Sequence, residues 1–229
     1  IRSLAEKVKY VVIAGDLIDG IGVYPEQEAE LEIVDLGRQY EAAAELLSNL
    51  PDYIELIIIP GNHDAVRNSL PQPPIPKKYA EALHGDDRVM LLGNPSTISL
   101  HGVETLVSHG DALNDVLTQV PGLDFQSPAK GMEVLLRSRH LAPIYGAATQ
   151  IAPEKRDWMV IDSPPDLLHM GHVHIFEYKK YKGTMLVNSG AWQGQTSYQR
   201  RLGVTPKPGI ASIVDLQTLK VTPLDFNYL

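Results

Sequence analysis

The sequence contains no cysteine, few basic residues and no long apolar run. Without cysteine, the protein has no disulfide scaffold, no cysteine-type zinc site and no thiol nucleophile. No stretch approaches the roughly 18 consecutive apolar residues of a membrane span, and the first residues lack the basic-then-apolar order of a signal peptide. Neither a membrane protein nor a secreted one is supported. The 20 lysines and arginines against 28 acidic residues leave a formal net charge of −8, which argues against binding nucleic acid through bulk positive charge.

The remaining composition is that of an ordinary folded domain. A chain of 229 residues, 44% of them apolar, can bury a hydrophobic core in one large domain or two small ones. The chain begins at Ile1 rather than at a methionine and runs into an apolar segment by Tyr10. We therefore expect residues 1–229 to form a single domain that is an N-terminally shortened piece of a longer polypeptide.

Short apolar runs bounded by glycine, proline or asparagine predict strands that are buried on both faces. These runs are 10–14, 56–59, 89–92, 105–108, 167–170 and 185–187. The clearest helical pattern between them covers 35–49, where Asp35 is a candidate N-terminal cap. Weaker helical patterns cover 2–9, 75–83, 111–118 and 132–140. Strands that alternate with helices predict a layered α/β fold.

In the last third of the chain, the pattern changes from alternating strands and helices to strands paired by short turns. Residues 176–181 and 184–188 flank a Lys-Gly turn, and residues 210–215 and 220–225 flank a four-residue turn, so both pairs predict β-hairpins.

Four short polar clusters follow directly after predicted strands. They are GDLIDG at 15–20, PGNHD at 60–64, HGD at 109–111 and GHVH at 171–174. In open α/β sheets, ligands bind outside the carboxyl ends of the strands, so these clusters should converge in space. Glycine in each cluster allows sharp turns and close approach of the backbone.

The chemistry of these clusters favours a metal centre. Aspartate, asparagine and histidine form a donor set that suits Mn²⁺, Fe²⁺ or Zn²⁺. In an extended segment His172 and His174 would point to the same side and could bind neighbouring ions, and a carboxylate such as Asp16 can bridge two ions. Two ions roughly 3.5–4 Å apart assist in-line attack of water on a phosphoester, and a nearby histidine can protonate the leaving oxygen.

A purely structural interpretation is weaker. Taken alone, the GDxxD pattern is a common turn, and His109 could be a half-buried histidine with ordinary hydrogen bonds. The GNHD and GHVH clusters have no obvious packing value after an apolar strand. All four clusters in this order favour a metal site.

The motifs GDxxDG, GNHD, HG and GHVH, in this order, resemble those of the calcineurin-like metallophosphoesterase superfamily. More narrowly, the chain resembles the small subunits of archaeal DNA polymerase D, whose phosphodiesterase domain is a proofreading 3′→5′ exonuclease. This closer resemblance covers nearly the whole chain and rests on GDLIDGIGVYPEQ, PGNHDAVRNSLPQP, RSRHLAPIYG, PDLLHMGHVH and VNSGAWQGQT. It implies a metallophosphoesterase fold of β-sheets flanked by helices.

The resemblance also implies a site with two divalent ions, Mn²⁺ in first place and Fe, Zn or Mg as alternatives. Asp16 would bridge the ions. Asn62, His109 and His172 would complete the shell of one ion, and His174 would serve the other. The family's first motif, Asp-x-His on the preceding strand, is absent from these residues, so the second ion's shell is incomplete here. Truncation explains this more simply than a degenerate, inactive homologue.

The same resemblance assigns the reacting groups. His63 would be the catalytic histidine near the scissile phosphate, Asp64 would orient it, and Asp19 would support the turn rather than bind metal. The partners would be the large catalytic subunit of the polymerase and a single-stranded DNA 3′ end, at an intracellular, chromosome-associated (cytoplasmic) location. Two alternatives stay open, a non-catalytic scaffold subunit and a phosphoesterase for small phosphate esters.

Contacts to DNA are expected from cations and one aromatic residue. Arg67 and His140 are the first candidates among the charged groups, and Trp192 could stack on a base. Further candidate cations are Arg137, Arg139, Lys179, Lys180, Lys182, Arg200 and Arg201. The net charge of −8 excludes coating of duplex DNA but permits contact with a strand end through divalent ions, whose charge is not in the amino-acid sum.

Overall fold

A computed structural model describes residues 6–201 and 203–228, which form two larger β-sheets covered by helices and a two-stranded ribbon. The first sheet has three parallel strands in the order β1-β2-β3. Its strands are β1 (Tyr10–Ala14), β2 (Glu55–Ile59) and β3 (Val89–Leu91). Helices α1 (Leu36–Ser48) and α2 (Glu81–His84) connect them. A strand, helix, strand alternation thus builds this half of the molecule, as the apolar pattern predicts.

The second sheet has five strands in the order β4-β5-β6-β8-β7. The three central strands β5, β6 and β8 run parallel, and the edge strands β4 and β7 pair antiparallel with their neighbours. Its strands are β4 (Ser96–Leu100), β5 (Val103–Ser108), β6 (Leu167–Met170), β7 (Phe176–Tyr181) and β8 (Thr184–Ser189). Helices α3 (Leu113–Gln119) and α4 (Pro128–Ser138) lie between β5 and β6 in the chain.

The C-terminal part adds a short helix and a two-stranded ribbon. Helix α5 (Ser197–Arg201) follows β8, and β9 (Ile210–Val214) pairs antiparallel with β10 (Val221–Asp225). Two single 3₁₀ turns, Gln27–Ala29 and Phe226–Tyr228, complete the described elements. No described helix is long and apolar enough to cross a membrane.

Alternation along the strands creates the layers. In β6 the side chain of Leu168 points to the helices, where it clusters with Met132 of α4. In β5 the side chain of Val107 points the other way and clusters with Ala14 and Ile59 of the first sheet. The two sheets therefore pack face to face, because successive side chains of a strand alternate between its faces. Each sheet carries its helices on the outer face.

Most of the predicted elements are confirmed. Helix α1 begins where its pattern predicts, because the Asp35 carboxylate accepts the backbone N–H of Arg38. Both predicted hairpins are present as β7–β8 and β9–β10. The helix predicted over 111–118 is α3. The layered α/β class is confirmed.

Three helix predictions need correction. The helix predicted over 75–83 is wrong for most of its length, because the residues after Pro76 form a turn and α2 begins only at Glu81. Helix α4 begins four residues before the predicted start, with Pro128 in its first turn, where the missing N–H costs nothing. Of the helix predicted over 2–9, residues 2–5 lie outside the described part, and residues 6–9 form a turn and extended chain. Strand β4 was not predicted.

The topology brings the ends of four strands together. Ala14 and Ile59 are register partners at the carboxyl ends of β1 and β2, and Ser108 and Met170 are register partners at the ends of β5 and β6. Because the two sheets pack against each other, all four polar clusters leave the same edge of the sandwich.

Candidate metal centre

Four side chains meet at this edge, each from a segment that follows a different strand. Asp16 follows β1, Asn62 follows β2, His109 follows β5 and His172 follows β6. His109 Nε2 lies 3.2 Å from Asp16 Oδ2 and 3.1 Å from Asn62 Oδ1. His172 Nδ1 lies 3.1 Å from Asn62 Oδ1 and 3.1 Å from His109 Nε2. One carboxylate oxygen, one amide oxygen and two imidazole nitrogens thus face a common point.

These separations fit a divalent cation. Donor atoms about 2.1 Å from one ion lie about 3.0–3.4 Å apart in octahedral or tetrahedral arrangements. The donor atoms of Asp16, His109 and His172 all lie within 4.8 Å of one another. Mixed oxygen and imidazole donors suit Mn²⁺, Fe²⁺ or Zn²⁺ better than Ca²⁺. The residues present therefore fit the ion that the sequence motifs imply.

The backbone is strained where it presents these donors. Asp16 has φ of 53° and His172 has φ of 63°, in the left-handed region that costs a non-glycine residue roughly 1–2 kcal/mol. A Cβ atom on Gly61 would collide with the Asp16 carboxylate and would lie 2.6 Å from Cε1 of His109. Only glycine fits at this position. Strain and close approach of this kind are found where a site must hold a given geometry.

Hydrogen bonds from behind orient both imidazoles. His109 Nδ1–H donates to the carbonyl oxygen of Ala14 over 2.7 Å, so Nε2 is the nitrogen that faces the cluster and would bind an ion once deprotonated. The side-chain Nδ2 of Asn114 lies 2.8 Å from His172 Nε2, on the side away from the cluster. With the amide reversed, its oxygen would accept Nε2–H there and leave the Nδ1 lone pair for an ion. Metal-binding histidines in general bond their second ring nitrogen in this way, which sets the tautomer and the ring direction.

In the protein without metal, the cluster holds a buried ion pair. Burial acts to lower the pKa of His109, but the carboxylates of Asp16 and Asp111 outweigh it and raise the pKa to about 10. Burial acts to raise the pKa of Asp16, and the neighbouring His109, His63 and His172 outweigh it, so this pKa lies well below its usual range. Burial and the His109 charge lower the pKa of His172 to about 4. A proton on His109 thus occupies the place of a cation, and binding of metal would release it.

His63 stands beside this cluster. Its backbone N–H donates to Asp16 Oδ1 over 2.9 Å, and its Nδ1–H donates to the carbonyl oxygen of Asp19 over 2.7 Å. The other ring nitrogen, Nε2, lies 3.9 Å from Asp16 Oδ2. The free nitrogen of His63 is therefore aimed at the candidate centre and the opposite nitrogen is held by a backbone acceptor.

Asp64 has a different role from the one expected. Its buried carboxylate accepts hydrogen bonds from the Tyr40 hydroxyl at 2.9 Å, from Gly61 N–H at 2.9 Å and from Leu17 N–H at 3.3 Å. Burial and the Asp16 charge raise the pKa of Asp64 to about 6. Adjacent side chains of this turn point in different directions. The Asp64 carboxylate therefore bonds backbone groups of the loops that follow β1 and β2 and joins these loops. The Asp19 carbonyl, rather than Asp64, orients His63.

His174 lies outside the group of four. Its Nδ1 is 2.8 Å from the side-chain amide of Gln199, and burial lowers its pKa. The segment that carries His172 and His174 is not extended as expected but bends: Val173 N–H donates to the Gly171 carbonyl over 2.7 Å. His174 is nevertheless near enough to Asp16, His63 and His109 to interact with their charges.

The three side chains singled out as DNA contacts lie outside the donor cluster. Arg67 donates to the Pro71 carbonyl and forms an ion pair with Glu154 at 2.7 Å. The Nε2 atom of His140 lies 3.0 Å from the carboxylate of Asp157. Trp192 is 66% exposed and packs against Phe226, with ring centroids 5.3 Å apart. The described structure does not bring these three side chains into the donor cluster.

A cleft of about 460 Å³ opens beside the cluster. Its lining includes Asn62, His63 and His172 of the site, together with Asp111 and Asn114. Residues 148–150 also line it and are held by Asp115, whose carboxylate accepts the N–H groups of residues 148 and 149 over 3.1 Å and 3.0 Å.

Several supporting residues carried no usable signal in the sequence. Asn114 sits in the first turn of α3, Gln199 in α5 and Tyr40 in α1, where polar or aromatic residues are ordinary. Each reaches the site only through the fold. Only the position of Asn114, shortly after the HGD cluster, could have indicated a role in the site.

Comparison with known proteins places the fold and the site in context. Residues 2–177 match the family model that describes the B subunits of DNA polymerases alpha and epsilon. The chain is 45% identical over 227 residues to the DNA polymerase II small subunit of Pyrococcus furiosus, covering 99% of this chain and 37% of that protein. It is 48% identical over 226 residues to the DNA polymerase II small subunit of Methanothermobacter thermautotrophicus, covering 99% of this chain and 46% of that protein.

The chain therefore spans less than half the length of these two curated relatives. Among solved structures, one described as a novel archaeal phosphodiesterase aligns with a TM-score of 0.50 at 12% identity, covering 98% of this chain and 87% of that one. At this identity the likeness concerns the fold alone. It agrees with the layered metallophosphoesterase fold that the motifs imply.

Proposed function

Because the chain belongs to the family of DNA polymerase alpha/epsilon B subunits, we propose that it is the phosphodiesterase domain of a polymerase small subunit that removes nucleotides from the 3′ end of a DNA strand. The observation that carries this proposal is the convergence of Asp16, Asn62, His109 and His172 beside His63 and an open cleft. A protein that only held other subunits together would not need this strained and partly buried donor set.

The donor set fits divalent cations, Mn²⁺ first, which when bound would lower the pKa of a water molecule and offset the charge that develops on phosphate. The remaining roles belong to protein groups. The four donors define the end of the cleft at which the reaction would take place. His63 Nε2 faces that point and would protonate the departing 3′ oxygen. The Asp19 carbonyl, which accepts from Nδ1–H, keeps the ring oriented and stabilises it when both nitrogens carry protons.

The family also indicates the setting of this activity. A proofreading domain would act inside the cell, at the chromosome, next to the large catalytic subunit of the polymerase, and its substrate would be an unpaired 3′ end. The relatives support the assignment to a polymerase small subunit, because they carry that name and match almost the whole chain. Arg67, His140 and Trp192 remain candidate DNA contacts under this proposal.

A scaffold without catalysis is the second candidate. In its favour, the described residues supply few donors for a second ion: the shared Asp16, and His174, which lies outside the group of four. If the full-length protein bound metal but never hydrolysed DNA, this function would replace the first.

The deciding experiment uses the full-length protein with Mn²⁺ and a primer with a mismatched 3′ end. We expect the primer to be shortened with release of 5′-mononucleotides. His63→Ala should lower the rate by about 10²–10⁴-fold while metal binding persists, because His63 supplies a proton and not a ligand. His84→Ala is a matched control, since that histidine bonds the Ile75 carbonyl away from the cleft. Undiminished cleavage by His63→Ala would refute its role, and no cleavage by the unmodified protein would favour the scaffold.

A further inference from the structure

An aromatic pair lies next to His63 and has no part in the reaction described above. The rings of Tyr24 and Tyr198 are stacked, with centroids 5.5 Å apart and planes 23° from parallel. The Tyr24 ring is also 6.4 Å from the His63 ring. Tyr24 is thus near both His63 and Tyr198, and the Tyr198 side chain is 40% exposed.

The loop that carries Tyr24 is built into the site. The buried side chain of Gln27 accepts the N–H of Val23 over 2.8 Å and donates to the Asp19 carbonyl over 2.7 Å, the same oxygen that accepts from His63. The buried Gln39 bonds both the N–H and the carbonyl of Gly20. The position of Tyr24 relative to His63 is therefore set by internal hydrogen bonds.

The segment that carries Tyr198 is joined to this loop by polar contacts of its own. Arg201 forms an ion pair with Glu26 at 3.1 Å, and Ser197 N–H donates to Glu30 at 3.3 Å. Gln193 donates to the Asp19 carboxylate over 2.6 Å. These contacts already connect the two segments, so the connection does not by itself require Tyr198 to expose its ring.

We propose that the Tyr24–Tyr198 pair is a stacking platform for a base of single-stranded DNA next to the bond that is cleaved. Proteins that hold single strands combine aromatic rings, on which any base can stack, with cations that contact the backbone. Tyr198 supplies the exposed ring face, and the exposed Arg200 on the same helix supplies a guanidinium for a phosphate. Arg201 and Ser197 engage two of the glutamates of the neighbouring loop, which reduces repulsion of the strand.

The choice of DNA as ligand rests on the proposed function, but the platform is tested by binding rather than by cleavage. The experiment uses the full-length protein in a His63→Ala background with Mn²⁺, and a single-stranded oligonucleotide with 2-aminopurine at its 3′ end. Stacking quenches the fluorescence of this base. We expect Tyr198→Leu to weaken binding by about 5- to 100-fold and to abolish quenching, whereas Tyr198→Phe should retain both.

Tyr178→Ala is the matched control. Tyr178 is 43% exposed and contacts Phe176 with ring centroids 5.9 Å apart, so it resembles Tyr198 in exposure and ring contact but lies on edge strand β7. Its loss should leave affinity and quenching unchanged. Leucine keeps most of the apolar packing of tyrosine but has no flat ring. Tyr198→Leu therefore distinguishes an effect of base stacking on the ring from an effect of lost apolar packing.

Three results would each overturn the platform. The first is that Tyr198→Leu binds and quenches like Tyr198→Phe, and the second is that it lowers the melting temperature without any loss of affinity. The third is equal weakening of binding by Tyr198→Leu and Tyr178→Ala. The two proposals fail separately. If the parent protein with His63 does not cleave but the stacking pattern holds, the exonuclease assignment falls and the platform stands. If the parent cleaves and Tyr198→Leu leaves its KM for the strand unchanged, only the platform falls.

Discussion

The two halves of the candidate centre are built in different ways. Around His109, four donor atoms from the ends of four strands lie 3.1–3.2 Å from their neighbours, and a backbone carbonyl holds the ring from behind. Around His174, the described neighbours are the side-chain amide of Gln199 from a short surface helix and the more distant Asp16. The first half is ordered by the sheets, and the second depends on a loop and a helix of five residues.

This difference indicates which donors are held in place before an ion binds. Strands buried on both faces cannot shift without disturbing the core, so donors at their ends are held in place before any ion arrives. Donors on surface segments must be ordered when the ion binds, which costs conformational entropy. We therefore expect the His109 half to bind its ion more tightly than the His174 half.

The largest effect should come from the residue that both halves share. Asp16→Ala should remove tight metal binding and cleavage together, with a loss greater than the roughly 10–100-fold that follows when only a supporting partner is removed. Isothermal titration with Mn²⁺ measures it. Asp19→Ala, in the same loop, is the control: its side chain bonds Gln193 and its carbonyl, which holds His63, is kept. If both variants titrate like the parent, Asp16 is not a ligand.

A smaller and more selective effect distinguishes the two halves. His172→Ala should lower the affinity for the tighter ion by at least about 100-fold, more than the loss of a supporting partner, because it removes one of the four converging donors. His174→Ala should leave the affinity for that ion within a few-fold of the parent value and should lower only the affinity for the more weakly bound ion. The measurement is the two-site titration curve of each variant. If His172→Ala and His174→Ala lowered the affinity for the tightly bound ion equally, the two halves would not be distinct.

The smallest effect concerns His169, a buried histidine whose Nε2 atom is unpaired within the described part of the chain. His109 and His169 lie at the end and in the middle of adjacent strands, and both are buried, yet the pKa of His109 is raised to about 10 and burial lowers the pKa of His169 to about 4. The Nε2 atom of His169 has no hydrogen-bond partner among the described residues. Partners, rather than burial, therefore explain the high pKa of His109.

This contrast predicts the acid stability of the fold. Above pH 6.5 His169 is neutral in both states. As the pH falls from about 6.5 to about 4, the unfolded chain binds a proton that the folded protein does not, so stability decreases. His169→Leu should remove this loss and gain about 2 kcal/mol at pH 5 relative to its effect at pH 7. Urea unfolding at both pH values measures it, with the exposed His101→Leu as control. A pH-independent difference would refute the prediction.

The parts of the fold that could be predicted are those with a strong local signal. Apolar runs located β1, β2, β5 and β6, and the Asp35 cap located the start of α1. Strand β4 was missed because its alternating residues, Ser96 to Leu100, are as polar as a surface loop. The late start of α2 and the early start of α4 follow from prolines whose effect depends on their position in the first turn.

The sequence by itself determined the donor types of the candidate centre and their order, because glycine-flanked Asp, Asn and His after buried strands are a local pattern with few alternative explanations. It also determined the layered α/β class. The tertiary structure alone decided which groups support the donors. The Asp19 carbonyl that orients His63 lies 44 residues away in the chain, and the Ala14 carbonyl that orients His109 lies 95 residues away. Every residue has such a carbonyl, so only the packing of the two sheets selects the ones that matter.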